Sequence, residues 1–414
     1  MLSRTILIKK KIEDYRKFIS SDIYCELKEL AKQLKGLKIA HINATSLGGG
    51  VAEILSSLVS LMNDLGIKCH WHTLPPDKIF FQITKKIHNG LQGEKIVLTD
   101  KEKKLYFSRN KKIARLIRSI KTDIWVIHDP QPLPLISYFP NLHPSILRLH
   151  IDLSNPQKDT WRFLLPHIEK YDKVIFSIKD FVHRDIPKEK IAIFPPAIDP
   201  LSPKNIPLSL KSSKSILQNF EINIDKPLIT QISRFDIWKD PIGVIRAYYL
   251  AKKEIPDLQL ALIGLILAQD DPEAIKVYEK VKKYAKGDPD IFLFSDIRTF
   301  NIENDILVNA FQVASDIILQ KSIKEGFGLT VTEAMWKEKP IIGGNVGGIR
   351  VQIENGKNGF LVNSPEETAK IIIQLIKDPN LAKKIGKQAK ETVREKFLIP
   401  RLLRDYLKLF TELI

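Results

Sequence analysis

Two carboxylates with seven residues between them, Glu325 and Glu333, bracket a pair of glycines, Gly326 and Gly328, in the run Lys321-Ser-Ile-Lys-Glu-Gly-Phe-Gly-Leu-Thr-Val-Thr-Glu-Ala-Met335. Residues 315–320 read as a short buried strand and residues 329–336 as the start of a helix. A strand that ends in a glycine turn and feeds a helix places backbone N–H groups and a helix N-terminus at the carboxyl edge of a sheet. Phosphorylated ligands bind there in open α/β folds. The chemistry indicated is the binding of a nucleotide-sugar diphosphate, and hence glycosyl transfer. The competing reading of the two glutamates is a solvated helix face.

Other polar residues fall at the ends of predicted strands. Arg234 and Lys239 lie in the turn after a strand at 227–233. His128 and Asp129 follow a strand at 124–128, and Arg148, His150 and Asp152 mark the end of one at 145–150. Such clustering at carboxyl ends of parallel strands describes an active-site rim, although any one of these histidines taken alone is better read as a satisfied structural group. Gly48-Gly49-Gly50 follows the first strand, 37–43, and allows close backbone approach; a plain flexible loop is the alternative. It is not the dinucleotide fingerprint, because G-x-G-x-x-G is absent and no acidic residue closes the next strand.

The elements that must carry these residues form two α/β series. Residues 1–35 read as helical, followed by a strand at 37–43, a helix at 51–65 closed by Gly66, and a strand at 67–73. Further signals are a helix at 113–120, strands at 124–128 and 145–150, a helix at 161–171, and strands at 173–177 and 191–194. Pro195 to Pro207 is proline-rich and reads as a stiff, solvent-compatible linker. The second series has strands at 227–233, 258–264, 291–295, 315–320 and 340–343 and a short strand near 360. Its helices are predicted at 241–251, 301–314 and 329–336, with Ser364-Pro-Glu-Glu367 starting a helix and Pro400 marking a break. The resulting expectation is an N-terminal Rossmann-like domain over 1–200, joined by a C-terminal helix at about 395–414, and a C-terminal domain over 201–394.

The chain has 414 residues, enough for two cores. Its 44% hydrophobic and 27% charged content is ordinary for a globular protein, and no apolar run reaches membrane-spanning length. With no signal-peptide pattern, the expected location is the cytoplasm. Cys25 and Cys69 are too few for a disulfide framework and read as small buried hydrophobes. The net charge of +17 is spread among acids rather than gathered in a tail. It fits a solvated, heat-adapted surface better than a nucleic-acid interface.

The set of motifs resembles the retaining GT-B glycosyltransferases of family 4. Glu325 and Glu333 form the E-x₇-E motif within E-G-F-G-L-T-V-T-E-A-M, and Arg234 and Lys239 match the pair that grips the donor diphosphate. The resemblance runs over nearly the whole chain and is closest to the trehalose glycosyltransferring synthases of thermophiles. It is carried by H-I-N-A-T-S-L-G-G-G-V-A-E (41–53), H-D-P-Q-P (128–132), H-I-D-L-S (150–154), S-R-F-D-I-W-K-D-P (233–241) and I-G-G-N-V-G-G-I-R (342–350).

This resemblance implies two Rossmann-like domains facing across a cleft, with a C-terminal helix crossing back onto the first. It implies NDP-glucose (UDP-glucose among the candidates) as donor, glucose as acceptor, and trehalose as product, made with retention by a front-face mechanism in a reaction that can run either way. No cofactor and no metal are expected. Arg234, Lys239 and a helix dipole supply the positive charge, and no D-x-D pair sits at a strand end of the first domain.

By these roles Arg234 and Lys239 stabilise the leaving diphosphate, Glu333 accepts from the ribose hydroxyls, and Glu325 binds the donor sugar. Gly49, Gly50, Gly326, Phe327, Gly328, Leu329 and Thr330 complete the donor site. His150 joins the catalytic set beside Glu325, Arg234 and Lys239. His128, Asp129, Arg148 and Asp152 are the acceptor-side candidates. No nucleic-acid or stable membrane partner is expected, and a homodimer is compatible with the sequence.

Glu338 stands where the family usually has glycine, which puts that turn's geometry in question. Ser177-Ile-Lys-Asp180 lacks the usual wording at its strand end, which weakens an acceptor assignment there. The alternatives are a trehalose phosphorylase, a family-4 transferase with another glycan or a lipid acceptor, and, from a different class, a nucleic-acid binder. A nicotinamide dehydrogenase is disfavoured by the missing fingerprint.

Overall fold

A computed structural model describes residues 2–46, 48–264, 272–295 and 303–414. The chain divides into two compact units, one made of Met1–Ala197 with Leu398–Ile414 and the other of Ile198–Phe397.

The first unit is built on seven strands: β1 (Ser3–Arg4), β2 (Lys38–Asn43), β3 (Lys68–Thr73), β4 (Ile124–His128), β5 (Ser145–Arg148), β6 (Lys173–Phe176) and β7 (Ile191–Ile193). Their order is β1-β3-β2-β4-β5-β6-β7, with β1 antiparallel to β3 and every other pair parallel. Helices on both faces explain why the central strands are apolar runs rather than alternating ones. Val126, Ile127, Ile146 and Leu147 are all fully buried. The order reverses between β2 and β4, so the crevice of this sheet opens above those two carboxyl ends.

The last helix, Ile399–Thr411, belongs to this first unit and packs on the helices Ser21–Gln33 and Gly50–Asp64. Its buried face is Ile399, Leu402, Leu403, Tyr406, Leu407 and Phe410, a helical stripe. Arg401 ties its start to the proline-rich segment by donating to the Pro195 carbonyl at 2.6 Å.

The second unit contains β8 (Leu228–Ile232), β9 (Gln259–Ile263), β10 (Ile291–Phe294), β11 (Ile317–Gln320), β12 (Ile341–Gly344) and β13 (Phe360–Val362). All pairs are parallel in the order β10-β9-β8-β11-β12-β13. Here the order reverses between β8 and β11.

Several expectations change. The first 35 residues are not one helix. β1 pairs with β3, a 3-10 turn spans Ile12–Phe18, and only Ser21–Gln33 is α-helical. Helices Lys78–Leu91 and Leu210–Gln218 lie where the sequence signalled none. The helix expected over 301–314 spans Asn304–Ala314, with positions 301 and 302 outside the described residues. The segment 195–207 is not a solvated spacer. Residues 196–200 are buried and Ile198 donates its N–H to the Phe397 carbonyl at 2.8 Å, because Ala197 and Ile198 are apolar groups that join a core. Cys69 is buried, but Cys25 is exposed on its helix.

Candidate active site

In the second unit the turns after β8 and β11 stand side by side at the reversal point. The β8 turn carries Arg234 and closes with the short 3-10 helix Ile237–Lys239. The β11 turn runs from Lys321 to Gly328 and feeds the helix Leu329–Trp336. Lys239 Nζ donates to Glu325 Oε2 at 2.5 Å, and the same oxygen accepts from Ser322 Oγ at 3.2 Å and from Gln320 Nε2 at 3.5 Å. Behind this pair Lys321 Nζ forms a close ion pair with Asp240. Asp240 also accepts the Gly243 N–H at 3.0 Å and so caps the helix Pro241–Lys252. That buried lysine and its aspartate bind the two turns together.

Arg234 differs from Lys239. Its side chain is 69% exposed, with Asp236 at 3.8 Å as its ion-pair partner, so little holds it in place. Glu333 is inside, its side chain 4% exposed, accepting from Gln312 Nε2 at 3.2 Å and facing Lys204 at 3.8 Å. Lys337 lies beyond it and donates to Asn205 Oδ1 at 3.0 Å; burial brings its amine down to about 7.

The glycine turn is defined by close backbone packing. Gly328 has φ +83°, and a Cβ there would meet the Glu325 side chain at 3.2 Å. A Cβ on Gly348, in the second glycine-rich turn, would lie 2.3 Å from Phe327 Cα, so no other residue fits at that position without shifting the turn. Gln352 Nε2 donates to the Phe327 carbonyl at 2.6 Å, and Thr332 Oγ1 donates to Gln352 Oε1 at 2.6 Å. The Phe327 ring is buried against Phe397, which leaves only its backbone for a ligand. The N–H groups of Phe327, Gly328 and Leu329 donate to no group among the described residues. Together with the helix dipole they form an anion-binding edge. Gly326 and Thr330 lie on the same turn and first helical step.

In the first unit, the reversal point gathers Gly48–Gly50, His41, His128 and Asp129. Gly49 has φ +81° and open space around it, and Gly50 begins the helix Gly50–Asp64. His41 Nδ1 lies 2.9 Å from His128 Nε2, and His128 Nδ1 lies 3.0 Å from His150 Nε2, with the rings stacked in succession. Burial holds all three imidazoles below their ordinary value, His41 at about 3, so they are neutral at pH 7. Asp129, at φ +63°, accepts the His150 backbone N–H at 2.8 Å; burial raises its carboxyl to about 7.

Arg148 and Asp152 sit on this edge with their polar atoms largely engaged. Arg148 is fully buried and donates to the carbonyls of Phe176 at 3.2 Å and Phe194 at 2.6 Å. It braces β6 and β7 rather than standing open to a ligand. Asp152 accepts both the backbone N–H and the hydroxyl of Ser154, at 2.9 and 2.6 Å, through one oxygen, and its second oxygen accepts from no group among the described residues.

The sequence reading missed His41, Lys321, Asp240, Gln312, Gln352 and Lys337 as site neighbours. Lys321 had a signal, a lysine directly after a wholly apolar strand; Gln352 and Lys337 had none. A cavity of about 610 Å³ lies elsewhere, at the amino ends of the second sheet against Pro227, Leu228, Asp316 and Pro340. Two of its lysines are already engaged, Lys214 with the Ile224 carbonyl and Lys226 with Asp257 and Asp290. The unsatisfied N–H groups and the Glu325–Lys239 pair are at the other edge, and the candidate site is placed there.

Comparisons with known proteins bear on the family and the fold. The family description "Trehalose synthase, N-terminal domain" matches residues 41–183 and "Glycosyl transferases group 1" matches residues 212–392. The trehalose synthase of Thermococcus litoralis is 45% identical over 97% of this chain and 96% of its own. The trehalose phosphorylase of Pleurotus pulmonarius is 30% identical over 86% of this chain but only 54% of its own. Among solved structures, Anabaena HepE in complex with UDP-glucose superimposes with a TM-score of 0.68 at 16% identity, covering 91% of this chain and all of its own.

Proposed function

Because the chain belongs to the trehalose synthase family of GT-B glycosyltransferases, we propose that it forms trehalose from an NDP-glucose and glucose, with retention at the donor's anomeric carbon and without a metal. The observation that carries this reading is the contact of Lys239 with Glu325 beside an edge of free backbone N–H groups. A cation for a leaving diphosphate and a carboxylate for sugar hydroxyls stand within one hydrogen bond of each other.

Breaking the glycosyl–phosphate bond loads charge onto the diphosphate while the sugar gains oxocarbenium character. Lys239, the exposed Arg234 and the start of the helix Leu329–Trp336 stabilise that charge most where it is largest, in the transition state. Glu333 accepts hydrogen bonds from the ribose, exchanging its Gln312 contact for them. Glu325 holds donor hydroxyls and keeps Lys239 in place. The acceptor's hydroxyl attacks on the face the diphosphate leaves, and its proton passes to the departing phosphate oxygen. In the first unit, His150 and the second oxygen of Asp152 contact the sugars. Arg148, Asp129 and His128 act behind them, since each is buried and spends its polar atoms on protein groups. The same residues serve cleavage, since both directions share one transition state.

The test is incubation with glucose and each of UDP-, ADP- and GDP-glucose, with trehalose as the readout. Trehalose from any of them, unchanged by a chelator, is the expected result. Activity with glucose 1-phosphate and none with the nucleotide sugars replaces this reading by the phosphorylase one. Glu325→Ala and Arg234→Ala are each expected to lower kcat by about 10²–10³ in protein that stays folded; wild-type rates in either overturn the site.

A further inference from the structure

Three neutral imidazoles carry one N–H each. In the chain His41–His128–His150 both N···N contacts are hydrogen bonds only if each holds one proton. Counting leaves two arrangements. If His128 is protonated on Nδ1, His41 must donate from Nδ1 and the third proton sits on His150 Nδ1. If His128 is protonated on Nε2, His150 must donate from Nε2 and the third proton sits on His41 Nε2. The tautomers are therefore coupled from one end to the other, and the choice is made where the two ends differ.

The ends differ sharply. His41 Nε2 is buried with no hydrogen-bond partner among the described residues, whereas His150 is the partly exposed end of the chain. A buried N–H without an acceptor is the rarer and costlier defect, of about 1–3 kcal/mol. A proton on His150 Nδ1 meets water or a ligand. His41 itself lies inside β2, held by the sheet on both sides, with the Tyr406 ring edge against it. The backbone N–H of His150 is fixed separately by Asp129.

We propose that His41 and His128 are positioning residues that lock His150 as its Nδ1–H tautomer, so that the site presents an N–H donor to a sugar oxygen rather than an acceptor nitrogen. This inference rests on the glycosyl-transfer reading for its use, but not for its existence. The neutral chain needs no substrate to be ordered. With the donor set in advance, no reorganisation of the imidazole is required when charge develops on the reacting oxygens.

The experiment is a long-range ¹H–¹⁵N spectrum of the ¹⁵N-labelled full chain without ligand, with the histidines assigned by single substitutions. Nδ1–H patterns for His41, His128 and His150 are expected. An Nε2–H pattern for His150, or averaging of the three rings between tautomers, overturns the proposal. The kinetic arm uses His41→Phe, which removes the donor to His128, and His41→Asn, whose carboxamide can restore it. His41→Phe is expected to lower kcat/KM about tenfold, the worth of one hydrogen bond, with His150 averaging between tautomers, and His41→Asn to recover most of both. A folded His41→Phe protein with wild-type kcat/KM overturns the positioning role. If the spectrum shows the locked tautomers while no sugar nucleotide yields trehalose, the chain stands and the proposed reaction falls.

Discussion

Asp129 ends β4 in a left-handed conformation, φ +63°, with its carboxyl buried and raised to about 7. The unfolded chain releases that proton near the ordinary value of 3.8, while the folded chain keeps it until about 7. Between those values the folded state binds more protons, so this group's contribution makes stability fall as pH rises from about 4 to 7. Asn tolerates φ > 0 and keeps the acceptor for the His150 N–H. Asp129→Asn is therefore expected to flatten the stability profile between about pH 4 and 7. It should raise stability at pH 7 by up to a few kcal/mol, since each tenfold difference in proton affinity between the folded and unfolded chain is worth about 1.4 kcal/mol. Urea unfolding across that range checks it, and an unchanged slope rejects the assignment. At this scale residue type told part of the story. Glu325, Arg234 and Lys239 were legible as candidates because charge just past the carboxyl end of a buried strand is placed where a ligand can bind, and Glu333 through its spacing from Glu325. Arg148 carried the same signal yet faces the carbonyls of Phe176 and Phe194. An arginine at a strand end looks identical in sequence whether its fork meets a substrate or the backbone. His41 was legible only as part of a motif, because a polar residue inside an apolar strand has no spacing that names its partner.

The turn after the helix Leu329–Trp336 shows what an element demands of one position. Glu338 adopts φ +59°, and its carbonyl is packed so tightly on the helix Pro379–Lys396 that a Cβ on Gly386 would lie 2.0 Å from it. The sequence had marked Glu338 as standing in a glycine's place, and the backbone keeps the glycine-like conformation. Relief of left-handed strain is worth about 1–2 kcal/mol. The added freedom of glycine in the unfolded chain costs about 0.4–1 kcal/mol, and the part-exposed Glu338–Lys390 pair at 2.7 Å contributes little. Glu338→Gly is thus expected to stabilise the protein by about 0.5 kcal/mol, read as a higher urea midpoint; a lower midpoint shows that the ion pair or unfolded-state freedom outweighs the strain. Elements whose pattern is local were readable: the apolar parallel strands, the Ser364 cap that accepts the Glu367 N–H at 3.1 Å, and the break at Pro400. The proline-rich segment was not. Its prolines predict stiffness, but nothing in them says that Ala197 and Ile198 are buried.

The first unit is discontinuous in sequence, Met1–Ala197 with Leu398–Ile414, while the second is the unbroken stretch Ile198–Phe397. A fragment 198–397 contains all of β8 to β13 and their helices and is expected to unfold cooperatively by itself. A fragment 1–197 is not. Without the last helix, the faces of Ser21–Gln33 and Gly50–Asp64 that it covers become exposed apolar surface, and Arg401 no longer satisfies the Pro195 and Pro196 carbonyls. Burial of its six-residue stripe, at about 1.5–3 kcal/mol for each large side chain, is as large as the whole net stability that a folded unit usually has. Supplying 398–414 as a separate peptide, or fused through a flexible linker, is expected to restore a single cooperative transition and to raise the melting temperature as peptide concentration rises, as binding to the folded state alone requires. A monomeric 1–197 that melts cooperatively and ignores the peptide would show that the C-terminal helix is an accessory, and that the edge bearing His41, His128 and His150 is held without Tyr406.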